Sequence, residues 1–245
     1  MITKKGLKEV FHFKRFDIHQ TGCPVKVGTD GVLLAAWTRI REAQSALDIG
    51  TGTGVIAVML AQRGSRLQKI AGVEIDRVAW KTATINAAEC PWAGRIRMYH
   101  TSIQKYAEES PDRYDLIVSN PPFFKNSTLS QKSDRNRIRH TISLTFEDLL
   151  NSVEKLLALH GFFNIILPGT EGREFINIAE NYGLYLTRKT EVFSIREKPV
   201  ERMLLEFSRR SGSVPERSEL VIHRSKDRGF TEEYRRLTRD FYLKF

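Results

Sequence analysis

A chain of 245 residues, 41% apolar and 28% charged, has the ordinary composition of a globular protein and is long enough for one large α/β domain with a sizeable core. Its two cysteines, Cys23 and Cys90, exclude a disulfide framework, and the longest apolar runs, such as residues 32–37, are too short to span a membrane. The formal net charge of +10 suits polyanionic partners, because each Lys or Arg near a phosphate displaces condensed counterions, although a solvated basic surface gives the same balance.

Residues 1–10 are charged and hold no apolar core of signal-peptide length, so a cytoplasmic protein is expected. Residues 11–18 read as a short strand or hairpin arm, Gly28-Thr29-Asp30-Gly31 as a turn, and residues 32–41 as a helix after it. The chain then alternates. Residues 46–49 form a short buried strand, followed by a glycine-rich turn and an apolar helix over 55–62 that Gly64 ends. Strands follow at 70–75, 96–100 and 114–119, and a helix over 77–89 is stopped by Pro91. Leu149, Leu150, Val153, Leu156 and Leu157 recur at helical spacing within 146–159. Residues 161–167 are a further strand and 171–181 a helix ending near Gly183. Residues 191–195 and 202–207 read as two strands with no helix between them, an antiparallel hairpin around Lys198-Pro199.

This alternation predicts an α/β fold: a doubly wound, mostly parallel, seven-stranded sheet with helices on both faces and a terminal antiparallel hairpin. Ligands of such sheets bind at the carboxyl ends of strands, near the point where strand order reverses. Two segments stand outside the pattern. Residues 125–140 carry Lys125, Lys132, Arg135, Arg137 and Arg139 against one acid, Asp134, and read as a basic loop. Residues 208–245 hold ten Lys or Arg against six Asp or Glu and end in a helix over 231–242. The expected organisation is an N-terminal extension (1–45), a central domain (46–207) and a basic C-terminal appendage (208–245).

The run Leu47-Asp48-Ile49-Gly50-Thr51-Gly52-Thr53-Gly54 places three glycines between a strand and a helix. Missing side chains let the backbone approach a ligand, and the helix start offers free N–H groups. The spacing differs from the dinucleotide fingerprint Gly-x-Gly-x-x-Gly, and by itself is also that of a tight structural turn. The next strand ends in Glu74-Ile75-Asp76. A carboxylate at that tip accepts hydrogen bonds from both ribose hydroxyls of a nucleoside, which assigns Glu74 to this role and leaves Asp76 as a helix N-cap. Asp48 either orients the amino group of the bound molecule or stabilises the loop.

Together with Asn120-Pro121-Pro122-Phe123 after the fourth strand, the ordered set Leu47 to Gly54 and Val73-Glu74-Ile75-Asp76 resembles the class I S-adenosylmethionine-dependent methyltransferases over residues 46–207. The resemblance implies a Rossmann-like fold with S-adenosylmethionine as cofactor, its methionine end held by Gly50, Gly52 and Gly54. Family members often carry an acidic residue that contacts the adenine amine. This chain has His100-Thr101-Ser102-Ile103 there, which makes Ser102 the candidate substitute. The cysteines show no metal-type spacing, and no metal is expected.

Two consecutive prolines fix the backbone and remove two N–H donors, leaving carbonyl oxygens as acceptors. Asn120 supplies a side-chain oxygen and Pro121 a backbone one. Such acceptors hold the two hydrogens of an exocyclic amine and turn its lone pair toward the methyl group. Phe123 offers a flat face on which a base can stack. Transfer from a sulfonium depends on alignment and electrostatics and needs no covalent intermediate. The tetrapeptide alone is also the pattern of a rigid turn.

Phenylalanine at the fourth position, by the same resemblance, and the basic charge favour RNA as acceptor. Phe13-Lys14-Arg15-Phe16, the run from Cys23 to Trp37, and Asp240-Phe241-Tyr242-Leu243 are similar to one subfamily, the bacterial enzymes that methylate N6 of adenine 37 in valine tRNA. That similarity implies that residues 26–30 lie over the methionine part of the cofactor, with Lys26 against its carboxylate and Thr29 beside it. Alternatively, Thr29 and Asp30 cap the following helix. Lys125, Lys132, Arg135, Arg137, Arg139 and the C-terminal segment would contact phosphates. The expectation is a monomeric RNA adenine-N6 methyltransferase acting on a tRNA anticodon loop. The alternatives are a ribosomal RNA guanine-N2 enzyme, a protein glutamine-N5 enzyme, and a non-enzymatic RNA-binding protein on the same scaffold.

Overall fold

The computed structural model of the protein describes residues 9–121, 144–212, 214–225 and 229–244. A hairpin of β1 (Val10–His12) and β2 (Asp17–His19) leads into α1 (Thr29–Trp37). Strand–helix pairs follow: β3 (Ser45–Ile49) with α2 (Val55–Arg63), β4 (Lys69–Glu74) with α3 (Arg77–Glu89), and β5 (Ile96–His100) with α4 (Ile103–Glu109). Next come β6 (Tyr114–Ser119), α5 (Phe146–Leu156), β7 (Leu157–Pro168) and α6 (Gly169–Ala179). The described chain closes with β8 (Tyr185–Phe193), β9 (Arg202–Ser208), β10 (Glu216–Val221) and α7 (Glu232–Thr238).

Eight strands make one sheet in the order β10-β8-β9-β7-β6-β3-β4-β5, with β9 alone running antiparallel to its neighbours. The doubly wound sheet and its antiparallel pair match the expectation; the strand count is eight rather than seven. The added strand, β10, lies parallel to β8 at the sheet edge. Its first four residues, Glu216-Arg217-Ser218-Glu219, are exposed, and only Leu220 is buried. No apolar alternation marks such a strand, and its charges discourage pairing with another sheet. Other boundaries moved too. Helix α1 starts three residues early, and β7 takes over residues 157–159, because Leu157 pairs with Tyr114 of β6 instead of ending a helix.

The sheet is buried on both faces, because successive residues of its strands point to opposite sides. Ala46, Leu116, Val118 and Ile166 pack with α1 and α2 on one face. Leu47, Ile117, Ile165 and Leu167 pack with α4, α5 and α6 on the other. The two ends of the described chain meet. Phe13 bridges Tyr242 in antiparallel fashion, the Lys14 N–H donates to the Phe241 carbonyl at 2.8 Å, and the Phe13 and Tyr242 rings stack with centroids 6.1 Å apart.

Strand order reverses at β3, which has β4 on one side and β6 on the other. Ser119, Ile49, Val73 and Tyr99 stand abreast in the register. Asn120, Gly50 and Glu74 therefore leave the sheet side by side at its carboxyl edge, about 4.8 Å apart per strand.

Candidate active site

The loop after β3 is shaped by its glycines. Gly50, Gly52 and Gly54 have φ of 70°, 57° and 81°, a region that β-carbons disfavour. A β-carbon at Gly50 or Gly52 would meet nothing within 4 Å, so the loop borders open space. At Gly54 it would lie 3.3 Å from the Ala83 Cβ and 3.2 Å from the Met98 Cε, so this glycine also serves close packing. Gly50 and Thr51 donate their N–H groups to the Val73 carbonyl at 2.9 and 3.1 Å, which pins the loop to β4. Gly54 stands at the N-cap of helix α2 without a side-chain bond, and the Asp48 carboxyl faces the Ala57 N–H of its first turn.

Glu74, at the tip of β4, is half-buried. Its Oε2 accepts from the Gly52 N–H and its Oε1 from the Asp76 N–H, each at 2.9 Å. Each carboxylate oxygen keeps a second lone pair for a ligand hydroxyl. Asp76 caps α3, accepting from Val78 and Ala79 N–H groups at 2.9 and 2.8 Å. Ile75 stands between the two acids with 48% of its surface exposed, an apolar face beside Glu74.

Asp48 is fully buried under the loop. Its Oδ2 accepts from the Thr51 hydroxyl at 2.6 Å, and its Oδ1 has no hydrogen-bond partner among the described residues. Burial pushes its carboxyl up to about 7, against the opposing pull of the Thr51 hydroxyl. The carboxylate thus holds the loop from beneath.

Asn86 of α3 was not singled out in the sequence. Its Oδ1 accepts from the His19 N–H at 2.8 Å, and its Nδ2 donates to the His19 and Thr53 carbonyls at 2.9 and 2.8 Å. One buried amide thereby ties the N-terminal hairpin to the glycine loop. The available signal was an asparagine on the helix face shared by Ala79, Thr82, Ala83 and Ala87.

On the acceptor side, Asn120 is half-buried and Pro121 buried. The Ser119 hydroxyl donates to the Ile49 carbonyl at 3.0 Å, holding the end of β6 against β3. A β-carbon at Gly31 would lie 3.8 Å from the Asn120 Nδ2 and 3.7 Å from Val55 and Ile56, so the first turn of α1 rests on both motifs. Pro122, Phe123, Lys125, Lys132, Arg135, Arg137 and Arg139 lie outside the described residues.

One alternative at the edge of the site is not realised. Thr29 and Asp30 do not cap α1: Gly28 occupies the N-cap position without a side-chain bond, and both residues lie inside the first turn. Asp30 instead accepts from the Arg202 Nε at 2.8 Å, fastening α1 to β9. Ser102 is the N-cap of α4, its hydroxyl accepting from the Lys105 N–H at 3.2 Å and keeping its own O–H as a donor. Lys26 and Thr29 are exposed near the start of α1.

Residues 25–145 match the methyltransferase small domain. The tRNA1(Val) (adenine(37)-N6)-methyltransferase of Proteus mirabilis is 40% identical over 245 residues, spanning 99% of this chain and 97% of that protein. The proteins of the same name from Parabacteroides distasonis and Trichodesmium erythraeum are 41% and 42% identical, over 96% of this chain and 98% of each. Among solved structures, an Agrobacterium tumefaciens protein described as a predicted O-methyltransferase superposes with a TM-score of 0.65 at 18% identity, covering 86% of this chain and 96% of that one. A glycine loop and a carboxylate on the neighbouring strand, in a chain whose sequence continues Asn-Pro-Pro-Phe after β6, define an S-adenosylmethionine-dependent methyltransferase. The chain belongs to the family of the tRNA1(Val) (adenine(37)-N6)-methyltransferases.

Proposed function

We propose that the protein transfers a methyl group from S-adenosylmethionine to N6 of adenine 37 in tRNA1(Val), in the cytoplasm. The observation that carries the reading is the row Asn120, Gly50, Glu74 at the switch point of the sheet, on a chain that matches relatives of that activity from end to end. When bound, the cofactor supplies an electrophilic methyl group on a sulfonium. Glu74 accepts from the ribose hydroxyls with its remaining lone pairs. Ile75 offers apolar surface to the adenine. The open space at Gly50 and Gly52 admits the methionine end, to which the family resemblance also assigns Lys26 and Thr29.

Asn120 and Pro121 accept from the two hydrogens of the target amine and turn its lone pair to the methyl group. Phe123 stacks the base. Lys125, Lys132, Arg135, Arg137 and Arg139 contact phosphates. Catalysis is alignment plus electrostatic stabilisation. The methylated ammonium is strongly acidic on an adenine, so its proton passes to solvent and no histidine is required. Nucleoside mass spectrometry of tRNA from a deletion strain tests the reading. Loss of N6-methyladenosine from tRNA1(Val), restored by the purified protein, is expected. An unchanged modification, or label appearing only in ribosomal RNA or protein, overturns it.

A further inference from the structure

The first turn of α1 is held differently from the rest of that helix. Gly28 and Thr29 are exposed and Asp30 half-buried, whereas every residue from Gly31 to Trp37 is buried. The core fixes the helix body, and the turn before it lies outside that packing. No side chain caps the turn, since Gly28 holds the N-cap position. Behind it lies a cavity of about 700 Å³, walled in part by the Phe11, Phe230 and Tyr242 rings, with Thr29, Asp30 and Arg202 in its lining. Close packing thus stops short of the turn on that side. What reaches across is the bond from the Arg202 Nε to the Asp30 Oδ2, 2.8 Å long, between side chains 27% and 25% exposed and so screened less than a surface pair. Arg202 is itself well placed: it stands opposite Pro168 of β7 in the sheet, and its Nη1 donates to the Glu201 carbonyl at 2.9 Å.

The next residue of the same turn meets the acceptor motif. A β-carbon at Gly31 would be in van der Waals contact with the Asn120 Nδ2, at 3.8 Å. Strand β7 stands between β9 and β6, so Arg202 and Asn120 are one strand apart and are joined by two successive residues of α1. The last torsion of an asparagine is broad, so the plane of its amide is set by what packs against it. We propose that the Asp30–Arg202 ion pair is a positioning device for methyl transfer, which holds the first turn of α1 against Asn120 and so fixes the direction in which that amide meets the target amine. Both residues act through Asn120 and not on the substrate. The turn also touches Val55 and Ile56, but those are buried in α2 and held by the core. The inference rests on the function proposed above, since it concerns how Asn120 receives the amine.

The test is single-turnover methylation of tRNA1(Val) by the full chain, at saturating RNA and S-adenosylmethionine so that binding drops out. Asp30→Ala and Arg202→Met should each slow it at least about tenfold, within the hundredfold that a displacement of about 1 Å can cost. Calorimetric affinity for S-adenosylmethionine and the KM for RNA should stay within twofold, which also shows that both variants fold. Added to Asn120→Ala, Asp30→Ala should slow methylation no further, because its effect passes through the amide already removed. A loss below tenfold in either single variant overturns the positioning role and leaves the proposed function standing. So does a parallel loss of cofactor affinity, or a further slowing in the Asn120→Ala background. Absence of methylation in the wild-type protein overturns the proposed function, and this inference with it.

Discussion

Two regions flank the first turn of α1, and they are built from different materials. At the ends of β3 and β4 the surface is main chain: three glycines at positive φ, a helix start and one carboxylate that already holds the amides of Gly52 and Asp76. Across α1 the surface is side chain, gathered from β1, β8 and the segments before and after α7. A main-chain site is rigid and indifferent to most substitutions, as suits a cofactor of fixed shape. A side-chain surface can be retuned residue by residue.

The contrast can be broken or sharpened by mutation. The largest effect is expected from Asn120→Ala, which should lower single-turnover methylation about 10³-fold, near 4 kcal/mol, while calorimetric affinity for S-adenosylmethionine stays within a fewfold. Equal loss of both would make Asn120 a structural support of the donor side. Next comes Asp48→Asn. The folded-state carboxyl sits at about 7, above its unfolded value near 3.8, so the native state holds a proton that the unfolded chain releases. Wild-type stability should fall as pH rises from about 4 to 7, by up to about 4 kcal/mol, and then level off. The asparagine variant should lack this slope; parallel denaturant midpoints for the two proteins from pH 4 to 8 would refute a buried carboxyl that keeps its proton.

Glu74→Ala should weaken cofactor binding about a hundredfold, by removing charge-assisted bonds to two hydroxyls, with kcat at saturating cofactor nearly retained. A fall in kcat alone would move Glu74 to the acceptor half. The smallest effect belongs to Asn86→Ala. Leaving the His19 and Thr53 groups unpaired should cost about 1–3 kcal/mol of stability and raise the KM for S-adenosylmethionine a fewfold, without changing the KM for RNA. A rise in both constants would mean that the hairpin and the glycine loop respond as one body.

The same division decides what could be read in the sequence. The donor loop, Glu74 and the Asp76 cap were legible because each acts within a few residues of its own strand or helix. Asn86 was not, since its partners His19 and Thr53 lie 67 and 33 residues away. The alternative of a cap at Thr29 and Asp30 was not realised for a similar reason: Asp30 answers to Arg202, 172 residues on, rather than to its own helix. Strand β10 stayed hidden because an exposed edge needs no apolar alternation. The aromatic cavity had no signal at all, because its walls become neighbours only when the sheet has closed.

The pairing of Phe13 with Tyr242 also sets an order of events during synthesis. The β1–β2 hairpin is translated long before Tyr242, its bridge partner. The glycine loop, Glu74 and Asn120 are all translated long before Tyr242. A nascent chain can therefore assemble its cofactor pocket while the hairpin lacks its final anchor and the aromatic cavity lacks a wall. Competence to hold the methyl donor would then not wait for the last contact between the two ends of the described chain.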